Sequence, residues 1–131
     1  MKKFFHIHTI SLLISVVIVI PIAFVYGFKP ILLFNISINT VNEANVFKGI
    51  MGLYLAFASF WILGISKPTY WKAATLSNIF FMLGLAFGRI VSMLFDGLPS
   101  TILTLGIIGE LVLGFYSWYV LHTKKQLTNQ I

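Results

Sequence analysis

Residues 73–95 read AATLSNIFFMLGLAFGRIVSMLF, an apolar run of 23 residues interrupted by one charge, Arg89. A hydrocarbon layer about 30 Å thick takes roughly 20 helical residues to cross, so this run is long enough to span a membrane. Arg89 is the only arginine in the chain. A charge inside such a run is expensive, and it is usually turned toward a protein interior where it carries function or specific packing. Three more stretches have the same length and character, near Thr9–Phe28, Val46–Ser66 and Thr101–Leu121. The last holds Glu110, one of three acids in the chain. The expectation is an all-α fold: one integral membrane domain over residues 1–131, a four-helix bundle running up-down-up-down.

Composition agrees with this. Of 131 residues, 59% are hydrophobic and 9% charged, with a mean hydropathy of +0.97, outside the range of ordinary water-soluble domains. The net charge of +6 does not point to nucleic acid, because the lysines gather at the ends of apolar runs and not along one solvated face. The absence of cysteine excludes disulfides, thiol chemistry, iron–sulfur ligation and thioether-linked haem. The first span follows Lys2 and Lys3 as a signal peptide would. Its apolar run is longer than an ordinary signal core and no small-x-small cleavage site follows, so it is expected to be retained.

With four spans, Lys2, Lys3, Lys67, Lys72, Lys124 and Lys125 fall on one side, and only Lys29 and Lys48 on the other. Positive charge marks the cytoplasmic side, which places both termini there. Tyr70–Trp71 and Trp118–Tyr119 then lie at the cytoplasmic interface as an aromatic belt. The short Lys67–Lys72 and Asp96–Ser100 connections make the last three spans antiparallel neighbours. The external connection, residues 29–45, is longer. Within it Leu32, Phe34, Ile36 and Ile38 alternate with Leu33, Asn35, Ser37 and Asn39, the pattern of a half-buried extended segment lying across the outer end of the bundle. Thr40-Val41-Asn42-Glu43 fits a capping box that starts the second span outside the apolar layer.

Helical spacing assigns faces. Asn78, Leu85, Arg89, Ser92 and Asp96 share one face of the third span, with Gly84 and Gly88 beside it; Asn45, Gly49, Gly52, Ala56 and Ser59 line the second span; Gly106, Glu110, Gly114 and Ser117 line the fourth. Small residues let helix backbones approach, so these faces are expected to pack together. At about 1.5 Å per residue, Arg89 lies roughly 10 Å below Asp96 and Glu110 roughly 15 Å below Ser100, a difference that an arginine side chain spans. Lys48, Arg89, Asp96 and Glu110 sum to zero charge, as a partly buried network in the outer half of the bundle requires. Asn45, Lys48, Tyr54, Arg89, Ser92, Asp96 and Glu110 are the candidate site residues. His6, His8 and His122 sit at the cytoplasmic ends without a supporting acid; neither a metal nor any other cofactor is expected.

Asn45-x-x-Lys48, Gly52-Leu53-Tyr54-Leu55, Gly88-Arg89-x-x-Ser92, Asp96-Gly97-x-Pro99-Ser100 and Glu110-Leu111, in this order, resemble a family of small four-helix bacterial membrane proteins of unknown function. That family is distantly similar to DoxX-like membrane proteins. The resemblance covers about Asn45 to Leu113 and implies a bacterial inner-membrane location. The family usually carries arginine where this chain has Lys48, so a bidentate anion contact is not expected there.

Two functional classes stand open. One is a non-enzymatic membrane protein, an accessory subunit of a larger complex or a binder of a lipid or other amphiphile whose head reaches the polar cluster. The other is a membrane enzyme acting on a lipid-, sterol- or quinone-like substrate, with Glu110 in acid/base chemistry tuned by Arg89. A small transporter is disfavoured, since no inverted repeat or broken span is present. For Arg89 and Glu110 themselves, a structural ion pair that fixes helix register stands beside the binding role.

Overall fold

The structure, a computed structural model, describes residues 7–129, with side chains as far as Lys124. Lys2, Lys3 and His6 lie outside the described residues, as does the side chain of Lys125. All regular structure among the described residues is helical. A 3-10 turn, Ile7–Thr9, leads into α1 (Ile10–Phe28); the one-turn α2 (Ile31–Phe34) follows, then α3 (Val41–Ser66), α4 (Pro68–Asp96) and α5 (Thr101–Asn129). Four helices (all but α2) are long and apolar enough to cross a membrane.

Local chemistry sets where these helices begin and end. Thr40 caps α3: its Oγ1 accepts from the Glu43 amide at 3.1 Å, while Glu43 Oε2 accepts from the Thr40 amide at 3.0 Å and from that of Asn39 at 2.6 Å. The helix therefore starts at Val41, ahead of the apolar run that begins at Val46. Between α3 and α4 only Lys67 is left outside a helix, because Pro68 opens α4 and does not interrupt it. Proline suits the first helical position, where its fixed φ is correct and its missing N–H is no loss. At the other end of α4, Gly97 adopts φ 103°, a backbone conformation that a side chain would strain.

The connection between α1 and α3 departs from the extended strap expected of residues 32–39. Pro30 has φ −63° and ψ −18°, close to helical, and starts one turn that Asn35 ends in the left-handed region at φ 55°. Leu32 and Leu33 consequently face outward while Phe34 is buried. The alternation survives only beyond the turn, where Ile36 and Ile38 are half-buried between exposed Asn35, Ser37 and Asn39. Phe34 stacks on Tyr26 with ring centroids 4.6 Å apart, which pins the segment over that end of the bundle.

Contacts along the helices give their directions. Gly27 of α1 meets Met51 near the start of α3, and Leu12 near the start of α1 meets Gly64 at the end of α3, so the two run antiparallel. The Trp71 indole donates to the His8 carbonyl at 2.9 Å and Arg89 donates to Tyr26 at 3.0 Å, so α1 and α4 run parallel. The core is built on Leu12, Trp61, Ala74, Met82 and Ala86, each almost or completely inaccessible. Phe81 bridges it, meeting Trp61 edge-on at 5.1 Å and Tyr54 edge-on at 5.1 Å.

The small residues do not all pack as their spacing suggests. Asn45, Gly49, Gly52, Ala56 and Ser59 of α3 are exposed, as are Gly84 and Gly88 of α4. A Cβ added at any of these four glycines would meet nothing within 4 Å. Close approach happens elsewhere, at Gly64 against Ala74 and at Gly114 against Leu83. The face of α5 does pack inward: Gly114 and Ser117 are buried, and Ser117 donates to Asn78 Oδ1 at 2.8 Å. Trp71 also turns inward, packing edge-on to His8 at 5.3 Å and under Lys124 Nζ at 4.2 Å, whereas Tyr70, Trp118 and Tyr119 face outward.

Candidate functional site

Arg89 on α4 and Glu110 on α5 meet across the helix pair, Nη1 to Oε1, at 3.1 Å. Their side chains are 22% and 12% exposed, so the pair is largely withdrawn from the surface. The glycine one turn before Glu110 leaves room for the guanidinium: a Cβ at Gly106 would sit 3.0 Å from Arg89 Nη1, which would have to give way by a few tenths of an ångström. A second helix also holds the guanidinium, since Nη2 donates to the Tyr26 hydroxyl of α1 at 3.0 Å. Three helices thus converge on one side chain.

Tyr26 is itself positioned by rings. It stacks on Phe34 and, at 6.3 Å, on Phe47, and meets Tyr54 edge-on at 5.5 Å. Tyr54 of α3 is buried beside the same guanidinium. Rigid packing of this kind holds polar groups in place without freezing long flexible chains at the moment of binding. Glu110 is asymmetric: Oε1 pairs with Arg89, while Oε2 is buried without a hydrogen-bond partner among the described residues. An unmatched buried acceptor is costly in proportion to how well it is sealed from water.

These groups form one wall of a cavity of about 370 Å³ bounded by α1, α2, α4 and α5, with Tyr54 reaching it from α3. Apart from Arg89, Glu110 and Tyr54 the lining is apolar, with Ile18 and Ile22 on one side and Leu105 and Gly109 on the other. Ile18, Leu33, Ile102 and Leu105 are also exposed, so the cavity opens sideways between α1 and α5 through an apolar mouth. Its size falls within the range of small-molecule sites, about 300–1,000 Å³.

Of the seven residues singled out from the sequence, Arg89, Glu110 and Tyr54 come together, and the other four do not join them. Lys48 turns toward the end of α1, where Nζ donates to the Gly27 carbonyl at 3.1 Å and lies 5.4 Å from the Phe28 ring centre. A lysine that satisfies a carbonyl at a helix end is already in a favourable place. Ser92 donates to Asp96 at 2.8 Å in an exposed pair at the end of α4, and Asn45 is exposed on α3. The four-charge network is therefore a two-charge pair. Tyr26 was missed. Its signal was present, a tyrosine near the end of the first span, but that position reads equally well as an interfacial anchor.

Three buried hydroxyl and amide groups lie in the other half of the bundle. Ser11 Oγ, Thr75 Oγ1 and Asn78 Nδ2 are buried without hydrogen-bond partners among the described residues. They lie outside the cavity lining.

No curated protein and no solved structure gives a significant match to this chain. A family model does: that of a domain of unknown function, DUF4345, matches residues 7–121. The chain belongs to that family.

Proposed function

We propose that the chain is a multi-pass protein of the bacterial inner membrane that binds an amphiphile drawn sideways from the bilayer into the cavity between α1 and α5, as a non-enzymatic binding protein or accessory subunit. The observation that carries this reading is the pairing of an apolar lateral mouth with a polar end wall built by Arg89, Glu110 and Tyr54. Charges placed for packing alone need no cavity beside them. The four-helix resemblance to DoxX-like proteins supports the architecture and brings no activity with it.

Orientation rests on the lysines. Lys67, Lys72 and Lys124 fall at the end of the bundle that carries the α3–α4 turn, and this end is taken as cytoplasmic. The polar wall then lies in the outer half of the bilayer. Because the chain lacks cysteine, single thiols report topology without background. In intact spheroplasts, an impermeant maleimide should label Asn39→Cys and spare Thr69→Cys; the reverse pattern would invert the topology.

The binding reading is tested by native mass spectrometry of protein released into mild detergent. One retained amphiphile per chain is expected, whereas a chain that sheds all lipid under conditions preserving the fold would contradict it. The unpartnered Glu110 Oε2 also favours a second reading, in which Glu110 exchanges a proton with a lipid-, sterol- or quinone-like substrate. Glu110→Gln separates the two: an enzyme loses turnover while keeping its ligand, and a binding protein has no turnover to lose.

A further inference from the structure

We infer that the ligand of this cavity is an uncharged lipid whose head carries a hydroxyl, and that the site discriminates against anionic phospholipid; this rests on the amphiphile-binding reading above. Charge is the first ground. Among the described residues, Arg89 and Glu110 are the only charged ones in the lining, and at 3.1 Å they neutralise each other. An anionic head that reached the guanidinium would face the Glu110 carboxylate at the same distance range, in surroundings where like charges are poorly screened. Lys48, the nearest candidate for a second cation by sequence, is engaged with the Gly27 carbonyl and is absent from the lining. A cationic head meets the converse difficulty with Arg89.

The hydrogen-bond inventory is the second ground. Glu110 Oε2 is a buried acceptor without a donor among the described residues. Arg89 uses one N–H toward Glu110 and one toward Tyr26 and also faces the Tyr54 hydroxyl, and a guanidinium carries five. Glu110 lines the cavity, and a rotation of its side chain brings Oε2, otherwise sealed and lacking a donor, to a bound head, with further donor capacity beside it. A hydroxyl has one proton to give and two lone pairs to receive with, so it satisfies both sides at once. An ether or ester oxygen receives but cannot give, and leaves Oε2 as it was. The rest of the wall is aliphatic and aromatic, suited to a hydrocarbon chain, and the lateral mouth lets any remaining chain stay in the bilayer.

The test uses the full chain in phosphatidylcholine nanodiscs and measures displacement of a pyrene-labelled long-chain alcohol. Three competitors share one C16 tail: hexadecanol, hexadecyl methyl ether and hexadecyl phosphate. Hexadecanol is expected to displace the probe at about tenfold lower mole fraction than either of the others, the size of effect that follows from leaving one buried acceptor unmatched. If the ether equals the alcohol, or the phosphate surpasses it, the hydroxyl inference is overturned while amphiphile binding stands. If the probe does not bind at all, both readings fail. In Glu110→Gln the guanidinium loses its counter-charge, so hexadecyl phosphate should overtake hexadecanol. An unchanged order in a folded Glu110→Gln protein overturns the charge argument independently.

Discussion

Replacing Arg89 alone with leucine, or Glu110 alone with leucine, should destabilise the folded bundle by about 3–5 kcal/mol, while Arg89→Leu/Glu110→Leu together should return to within about 1 kcal/mol of the parent. Each single change leaves one charge withdrawn from water without its partner at 3.1 Å. The double change removes both charges and adds apolar volume to a largely apolar wall. In Glu110→Leu the guanidinium cannot shed its charge but keeps its hydrogen bond to the Tyr26 hydroxyl, whereas in Arg89→Leu the carboxylate keeps no hydrogen-bond partner among the described residues but can take up a proton, so the two single losses should be of similar size. Reversible unfolding in mixed micelles, read as a double-mutant cycle, measures the coupling. Additive single and double effects would mean that the pair contributes no mutual stabilisation.

The second large effect concerns the cavity and not the fold. Gly109→Phe should lower amphiphile occupancy at least about tenfold, equivalent to 1.4 kcal/mol, with little change in stability. Gly109 lines the cavity, and a Cβ built there meets nothing within 4 Å, so a ring can enter the space that a ligand would fill. Gly114→Phe is the useful contrast. Gly114 lies against Leu83 and Met82, where added volume overpacks the α4–α5 contact and should lower stability instead. Native mass spectrometry and thermal unfolding of the two variants separate these outcomes. Equal ligand occupancy in the parent and in Gly109→Phe would move the site elsewhere.

Much of the architecture was legible because the physical signals for it are local. Four apolar runs required four long helices, Thr40 and Glu43 declared a capping box that forms, and the short Asp96–Ser100 connection marked the end of α4. The Arg89–Glu110 contact was also legible, since depth along two antiparallel helices is simple arithmetic. What failed depended on neighbours. Small residues at helical spacing permit close packing without saying what packs, so Gly49, Gly52, Gly84 and Gly88 face outward while Gly64, on no expected stripe, meets Ala74. Lys48 was assigned by depth and charge to the network, but the end of α1 offered a nearer carbonyl. Leu32 fitted an alternating pattern until Pro30 and Asn35 turned its segment into a helical turn. Tyr26 and the cavity depend on how α1, α4 and α5 are set relative to one another, which no single run of residues encodes.

The central claim is that a lipid-like molecule occupies the space between α1 and α5 with its head at Arg89 and Glu110. Photocrosslinking in native membranes tests it most directly, using a long-chain alcohol with a diazirine in its tail and peptide mapping of the adducts. Adducts should concentrate on Ile18, Ile22, Leu105 and Gly109, which line the cavity, and should fall when excess unlabelled alcohol is added. Adducts spread over the outward-facing Phe80 and Phe87, 72% and 70% exposed, without competition would show only contact with bulk lipid and would contradict the claim.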